Sequence, residues 1–163
     1  MRKLLPFIVV AAFVACTTID CPVQNTVSTL YHVYNADGTD LTLKDTLTVT
    51  TRRSNGTDSI ILNQLSGSNS FSLPISYSHP EDVLVFSFTI VKTDTTLRVQ
   101  DTLWVKKEDI PHFESVDCNA SFFHTLTDVR CTHNHIDSIV INNPSVTYDQ
   151  TTIHFRLYPK SSN

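Results

Sequence analysis

Thr46-Leu47-Thr48-Val49-Thr50-Thr51-Arg52-Arg53-Ser54-Asn55-Gly56-Thr57-Asp58-Ser59-Ile60-Ile61-Leu62 is the stretch on which the fold turns. Leu47 and Val49 alternate with Thr46, Thr48 and Thr50, the period of two that sets one face of a strand against a core. Asn55-Gly56 then interrupts the pattern. A type I′ turn needs positive φ at both central residues, which Asn and Gly supply most readily, so the dipeptide predicts a hairpin. With those two residues as the loop, Val49 faces Leu62, Thr51 faces Ile60, and Arg53 faces Asp58. The apolar side chains then share a face and an opposite-charge pair closes the mouth. A slip of one residue would scramble this arrangement.

The same logic extends in both directions. Asp37-Gly38 predicts a second hairpin, between Val27–Tyr34 and Thr39–Leu43. Leu84, Phe86, Phe88 and Ile90 alternate with Val85, Ser87 and Thr89, and Leu97, Val99, Leu103 and Val105 carry the period onward through Asp101. Ile136, Ile139 and Ile141 precede Asn143-Pro144. Ile153, Phe155 and Leu157 alternate with His154 and Arg156. No window of helical length shows a period of 3.6. Short strands separated by Asn, Asp, Gly and Pro turns predict an all-β fold, an antiparallel, immunoglobulin-like β-sandwich in residues 26–159. A small closed β-barrel is the competing architecture.

Composition narrows function by exclusion. The chain has 163 residues, 12 Lys+Arg against 16 Asp+Glu, and a net charge of -4. That balance argues against nucleic acid as a partner. Three glycines, Gly38, Gly56 and Gly67, are too few for a phosphate-binding loop. No nucleophile elbow and no helix-borne His-Glu-x-x-His occurs, so no catalytic residue and no cofactor is assigned.

The N-terminus reads as an address. Arg2 and Lys3 precede an apolar run from Leu4 to Val14, too short to span a bilayer but of secretory length. The run ends Phe13-Val14-Ala15-Cys16, which resembles the lipobox of bacterial lipoproteins with Phe in place of the usual Leu. Residues 1–15 are then a signal peptide, Cys16 the acylated residue, residues 16–25 a tether, and residues 160–163 a frayed end. The expected product is exported and held by its lipid (palmitate among the acyl chains) on a membrane of the bacterial cell envelope, the outer membrane. Cleavage leaves 148 residues, and removing Arg2 and Lys3 leaves 10 basic against 16 acidic side chains, a net of -6.

Cys21, Cys118 and Cys131 remain, an odd number for an oxidising compartment. Cys21–Cys118 closes a long loop and Cys118–Cys131 a short one. The chain-entropy account gives about 4.7 kcal/mol for a loop near 100 residues and about 3 near 15, which favours the first.

The densest chemistry is Cys131-Thr132-His133-Asn134-His135-Ile136-Asp137, with His124 shortly before. On a strand, Cys131, His133, His135 and Asp137 share one face, and imidazole, thiolate and carboxylate at that spacing suit zinc or copper. His124, His133, His135 and Asp137 are therefore weak metal candidates, set against a plain polar turn. Trp104 with Phe113, Phe122 and Phe123 is a candidate sugar platform, set against core packing. Asp-Ser/Thr-aliphatic triplets at Asp45, Asp58, Asp101 and Asp137, with Asp94-Thr95-Thr96, are similar to the short O-glycosylation motif of secreted Bacteroidota proteins.

The chain resembles a family of small Bacteroidota lipoproteins that carries a domain-of-unknown-function label. The resemblance lies in Asp20-Cys21-Pro22, Leu43-Lys44-Asp45-Thr46-Leu47-Thr48-Val49, Phe71-Ser72-Leu73-Pro74-Ile75-Ser76-Tyr77 and Asp101-Thr102-Leu103-Trp104-Val105. It continues in Ile110-Pro111-His112-Phe113, Phe123-His124 and residues 136–144. It implies export and lipidation, a bridge between Cys21 and Cys118, and Cys131 as the odd free thiol. It implies no reaction. The expected role is a non-catalytic binding or scaffolding module with a protein or glycan partner in the envelope. The alternative is a metal- or glycan-binding domain built on His124, His133 and His135.

Overall fold

The computed structural model describes residues 27–52, 56–115, 118 and 120–160. The signal peptide, Cys16, Cys21, the tether, Arg53, Asn55 and residues 161–163 lie outside that range. Every element among the described residues is a strand: β1 (Ser28–Val33), β2 (Thr46–Arg52), β3 (Asp58–Leu65), β4 (Ser70–Pro74), β5 (Glu81–Val91), β6 (Thr96–His112), β7 (Ser121–Cys131), β8 (Ile136–Ile141), β9 (Ser145–Val146) and β10 (Ile153–Pro159). They form a four-stranded sheet, β4-β1-β10-β8, and a six-stranded sheet, β3-β2-β5-β6-β7-β9. The fold is the all-β sandwich that the sequence predicts.

Period two delivers the core. Leu47, Val49, Leu84, Phe86, Phe88, Leu103 and Val105 point inward from the six-stranded sheet. Opposite them, a cross-strand aromatic row spans β4, β1 and β10. Tyr31 is paired with Phe71 and with Phe155, and its ring stacks on both, at 5.1 Å and 4.7 Å between centroids. Phe86 meets the row at 6.0 Å from the Tyr31 ring. Rings of this size dominate the burial energy of a small domain.

One pairing departs from the antiparallel expectation. β1 runs parallel to β10, with Leu30 opposite Ile153 and Tyr31 opposite Phe155. His154 is the skipped residue, and the ladder is completed by its side chain: the Leu30 N–H donates to His154 Nδ1 at 3.0 Å. The other nitrogen, Nε2, donates to the Ser145 carbonyl at 3.2 Å. His154 is wholly buried beside Phe155 rather than alternating with it outward, a correction to the simple period. Burial holds this imidazole below its ordinary pKa of 6.5, against the pull of the Ser145 carbonyl and Asp149.

The β2–β3 hairpin exists, with a corrected register. Val49 faces Leu62 as expected, but Thr50 faces Ile60 and Arg52 faces Asp58. Arg52 pairs with Asp58 at 3.6 Å, and the expected partner, Arg53, lies outside the described residues. Two extra residues on β3 cause the slips, Ile61 near one end and the positive-φ Gln64 near the other. Ile60 is consequently turned out to solvent. Bulges of this kind twist an edge strand away from unwanted pairing. The Asp37-Gly38 turn forms too, with Gly38 at φ 85°, although its return arm makes a single bridge, Tyr34 to Asp40, instead of a strand.

The passage between the sheets at β7–β8 is held by one carboxylate. Asp101, fully buried on β6, accepts hydrogen bonds from Thr132 Oγ1 (2.8 Å) and from the backbone N–H groups of Asn134 (2.7 Å), His135 (2.8 Å) and Ile136 (2.8 Å). Burial raises its pKa, yet these donors outweigh it and leave the carboxyl below its ordinary value of 3.8.

Two outcomes follow. Asp101→Ala strands several buried donors, each worth about 1–3 kcal/mol, so urea denaturation should show a loss of at least about 3 kcal/mol, with Asp101→Asn losing less. Neutral His154 contributes stability that is complete above pH 6.5 and lost as pH falls below it, since the unfolded state takes up the proton first. Denaturation midpoints should therefore drop between pH 7.5 and 5.5, and His154→Gln should flatten that drop.

Candidate functional site

The predicted metal candidates do not assemble into a site: Cys131 Sγ meets His133 Nδ1 at 3.7 Å, but no third ligand among the described residues joins them. β7 ends at Cys131, and residues 132–135 form the turn around Asp101, so Cys131, His133, His135 and Asp137 do not share a strand face. His124 lies seven residues back along β7, about 20 Å away at strand rise. Each imidazole has other duties. His133 Nδ1 donates to the Asp137 carbonyl at 2.8 Å, and His135 packs on Phe88 and pairs with Asp45 at 3.3 Å. Among the described residues no group of three His, Cys, Asp or Glu is placed to hold a metal. Cys131 is the free cysteine there, while Cys118 is engaged.

The aromatic platform also divides. Phe122 stacks on Tyr77 at 5.3 Å on one side of the β6–β7 ribbon, and Phe123 meets His112 and Tyr148 on the other. Phe113 stands exposed near the tip. Trp104 is elsewhere, on the outer face of the six-stranded sheet between Val83 and Arg130.

The structure reveals a constellation that the sequence reading missed. On β6, Asp101, Leu103, Val105, Lys107 and Asp109 keep one parity, so the inward face runs on into charged residues. On β7, Thr127 is an extra residue opposite none of β6, and the bulge switches parity so that Leu126 and His124 turn inward. Lys107 is buried; its ammonium donates to the His79 carbonyl and pairs with Asp109 Oδ1 at 3.3 Å. His124 Nδ1 donates to that same Asp109 oxygen at 2.7 Å. Burial lowers the His124 pKa despite this partner.

Asp82 of β5 borders the group. It accepts the Ser76 N–H at 3.0 Å. Burial raises its pKa, with the Ser76 bond and the nearby Lys107, His124 and His79 pulling down. The Lys107 backbone N–H donates to the Pro80 carbonyl at 3.0 Å, so the cluster pins the β4–β5 loop, residues 75–80, over this end of the sandwich. A charged pair with one partner buried and the other partly exposed is weak evidence for stability and better evidence for a specified loop position.

Asp82 also marks the junction of two cavities. A slot of about 240 Å³ is lined by Ile61, Pro74, Ile75, Tyr77 and Leu84. An open groove of about 900 Å³ runs over Val83, Val85, Thr102 and Trp104, walled by Arg52, Ser78, His79 and Glu81. Thr51, Ser76 and Asp82 line both.

A family model described as a family of unknown function, DUF6452, matches residues 46–159, from β2 through β10. The chain belongs to the DUF6452 family. No curated protein and no solved structure matches this DUF6452 chain. The matched span holds the Asp101 clamp, the Lys107 cluster and the groove, but leaves out β1, which lies before residue 46.

Asp82 supplies a sign-specific outcome. A carboxyl with a raised folded pKa favours the fold below pH 3.8 and loses that contribution as pH rises through the folded value. Asp82→Asn should therefore raise the thermal midpoint at pH 8, with the gain shrinking towards pH 3.8 in calorimetric scans.

Proposed function

We propose that this DUF6452 chain is an exported lipoprotein, acylated on Cys16, that holds a non-catalytic binding module at the outer membrane of the bacterial cell envelope. The observation that carries the tether is the run Arg2-Lys3, Leu4 to Val14, then Ala15-Cys16. A positive start, a short apolar stretch and a small residue before cysteine suit signal cleavage followed by acylation. Several acyl chains hold a protein to a bilayer without a spanning helix.

Binding is favoured over catalysis by how the buried cluster spends its valences. Lys107, Asp109 and His124 are bonded to one another and to the backbone, which leaves them as loop anchors instead of a poised acid and base. The adjacent groove is open and lined by groups that can contact a partner. The Cys21–Cys118 bridge belongs to the same proposal, supported by an engaged Cys118 and a free Cys131. It would fasten the tether to the β6–β7 connection.

In cells, wild-type protein should take up radiolabelled palmitate and enter the detergent phase on Triton X-114 partition. Cys16→Ala should abolish the label and move the protein to the aqueous phase. A Cys16→Ala protein that stays in the membrane fraction overturns the tether.

A further inference from the structure

The groove over Trp104 has a floor and walls of different chemistry. Val83 pairs with Trp104 and Val85 with Thr102 across β5 and β6, so the floor is one continuous patch of the sheet's outer face, apolar except at Thr102. The walls are formed by Thr51, Ser76, Ser78, His79 and Asp82, with the Ser76 and Ser78 hydroxyls 2.8 Å apart. Its volume, about 900 Å³, falls within the range of small-molecule sites, about 300–1,000 Å³.

The charges at the rim are already matched. Arg52 pairs with Asp58 at 3.6 Å. Glu81 receives Arg130 Nη2 on both carboxylate oxygens, at 3.1 Å and 3.2 Å, and the same guanidinium lies 4.6 Å over the Trp104 ring. Asp82 is backed by Lys107 and His124, and burial favours its neutral form. Among the described residues that line the groove, a charged ligand would find no unmatched countercharge and would have to break a pair to gain one. A neutral ligand with an apolar face and a hydroxylated edge meets all of it. Its face lies on valine and on the part of the indole that Arg130 leaves uncovered, and its edge exchanges hydrogen bonds with Ser76 and Ser78. A sugar ring has that division, with C–H groups on its faces and hydroxyls around its rim.

Resting on the reading of this domain as a binding module, we propose that the Trp104 groove is its ligand site and that the ligand is a neutral oligosaccharide. Contact with the apolar floor supplies the attraction, and the β4–β5 loop, pinned by Lys107, presents the hydroxyl wall in a fixed position. Trp104 contributes apolar area; Ser76 and Ser78 select for hydroxyls.

Trp104 is the sole tryptophan of the chain, so its emission reports this groove directly. Full-length protein in detergent would be titrated with hexasaccharides of glucose, mannose and N-acetylglucosamine. Hexagalacturonate and an extended neutral heptapeptide serve as the charged and peptide comparisons. At least one neutral hexasaccharide should shift Trp104 emission saturably. Ser78→Arg, which fills the exposed mouth and leaves Trp104 in place, should weaken that binding about tenfold or more with an unchanged thermal midpoint. Trp104→Ala should weaken it comparably by calorimetry.

Silence from every neutral sugar at millimolar concentration overturns the proposal. So does a response to hexagalacturonate or the peptide alone, or a sugar response that survives Ser78→Arg. The detergent partition of Cys16→Ala reads the tether independently. Failure of the sugar panel with a normal partition removes the ligand class alone, and failure of the partition with a normal titration removes the tether alone.

Discussion

One buried carboxylate governs how the two sheets meet. Asp101 sits in the middle of β6, the longest strand, and gathers one hydroxyl and three consecutive backbone N–H groups from the β7–β8 turn. Those donors would otherwise be buried without partners at the place where the chain leaves one sheet for the other. With them satisfied, β8 starts at Ile136, on the β10 side of the sandwich, and His135 is laid against Phe88. An anionic acceptor suits the task because three N–H dipoles converge on it, and charge-assisted hydrogen bonds are the stronger kind.

A second buried cluster works from the same strand. Lys107 and Asp109 lie on the inward parity that Asp101 begins, six and eight residues further along β6. Asp101 ties down a turn on one side of the sandwich, and Lys107 ties down the β4–β5 loop by both its backbone and its ammonium. β6 thus acts as a spine with two polar fasteners, and the groove beside Asp82 lies next to the second. Shape at the groove depends on a loop whose apolar anchors are the buried Ile75 and the Tyr77 ring stacked on Phe122.

Much of this architecture was legible in the sequence, and the gaps have physical causes. Alternation from Leu84 to Ile90 and from Leu97 to Val105 marked β5 and β6 as strands, because Leu84, Phe86, Phe88, Leu103 and Val105 keep one inward parity on either side of Asp101. The β2–β3 register was legible only at Val49 and Leu62. Ile61 and Gln64 add residues on one strand alone, and nothing in composition marks which residue a ladder will skip. The cluster at Lys107 was hidden for a related reason. Its parity continues that of Leu103 and Val105, so the signal was present, but Lys106-Lys107-Glu108-Asp109 reads as a solvated run. Only the Thr127 bulge brings His124 to the same side. The metal reading failed at the end of a strand: alternation across residues 131–137 assumed that β7 continued, and Asp101, thirty residues earlier, ends it. The parallel partner of β1 was beyond local reading altogether, since no short-range pattern names a strand more than a hundred residues away.

That last pairing shapes the order of assembly. β1 is inside its sheet, with β4 on one side and β10 on the other. The first strand of the domain cannot acquire its second neighbour until the final strand exists. Closing so long a loop comes at an entropic disadvantage that only late contacts offset. β5, β6 and β7 can meander together from neighbouring sequence, but the aromatic row through Tyr31 stays half-built until Phe155 arrives. The domain is thus completed from its two ends at once, and a chain still emerging from synthesis or threading through a pore would keep its first strand unclasped to the last.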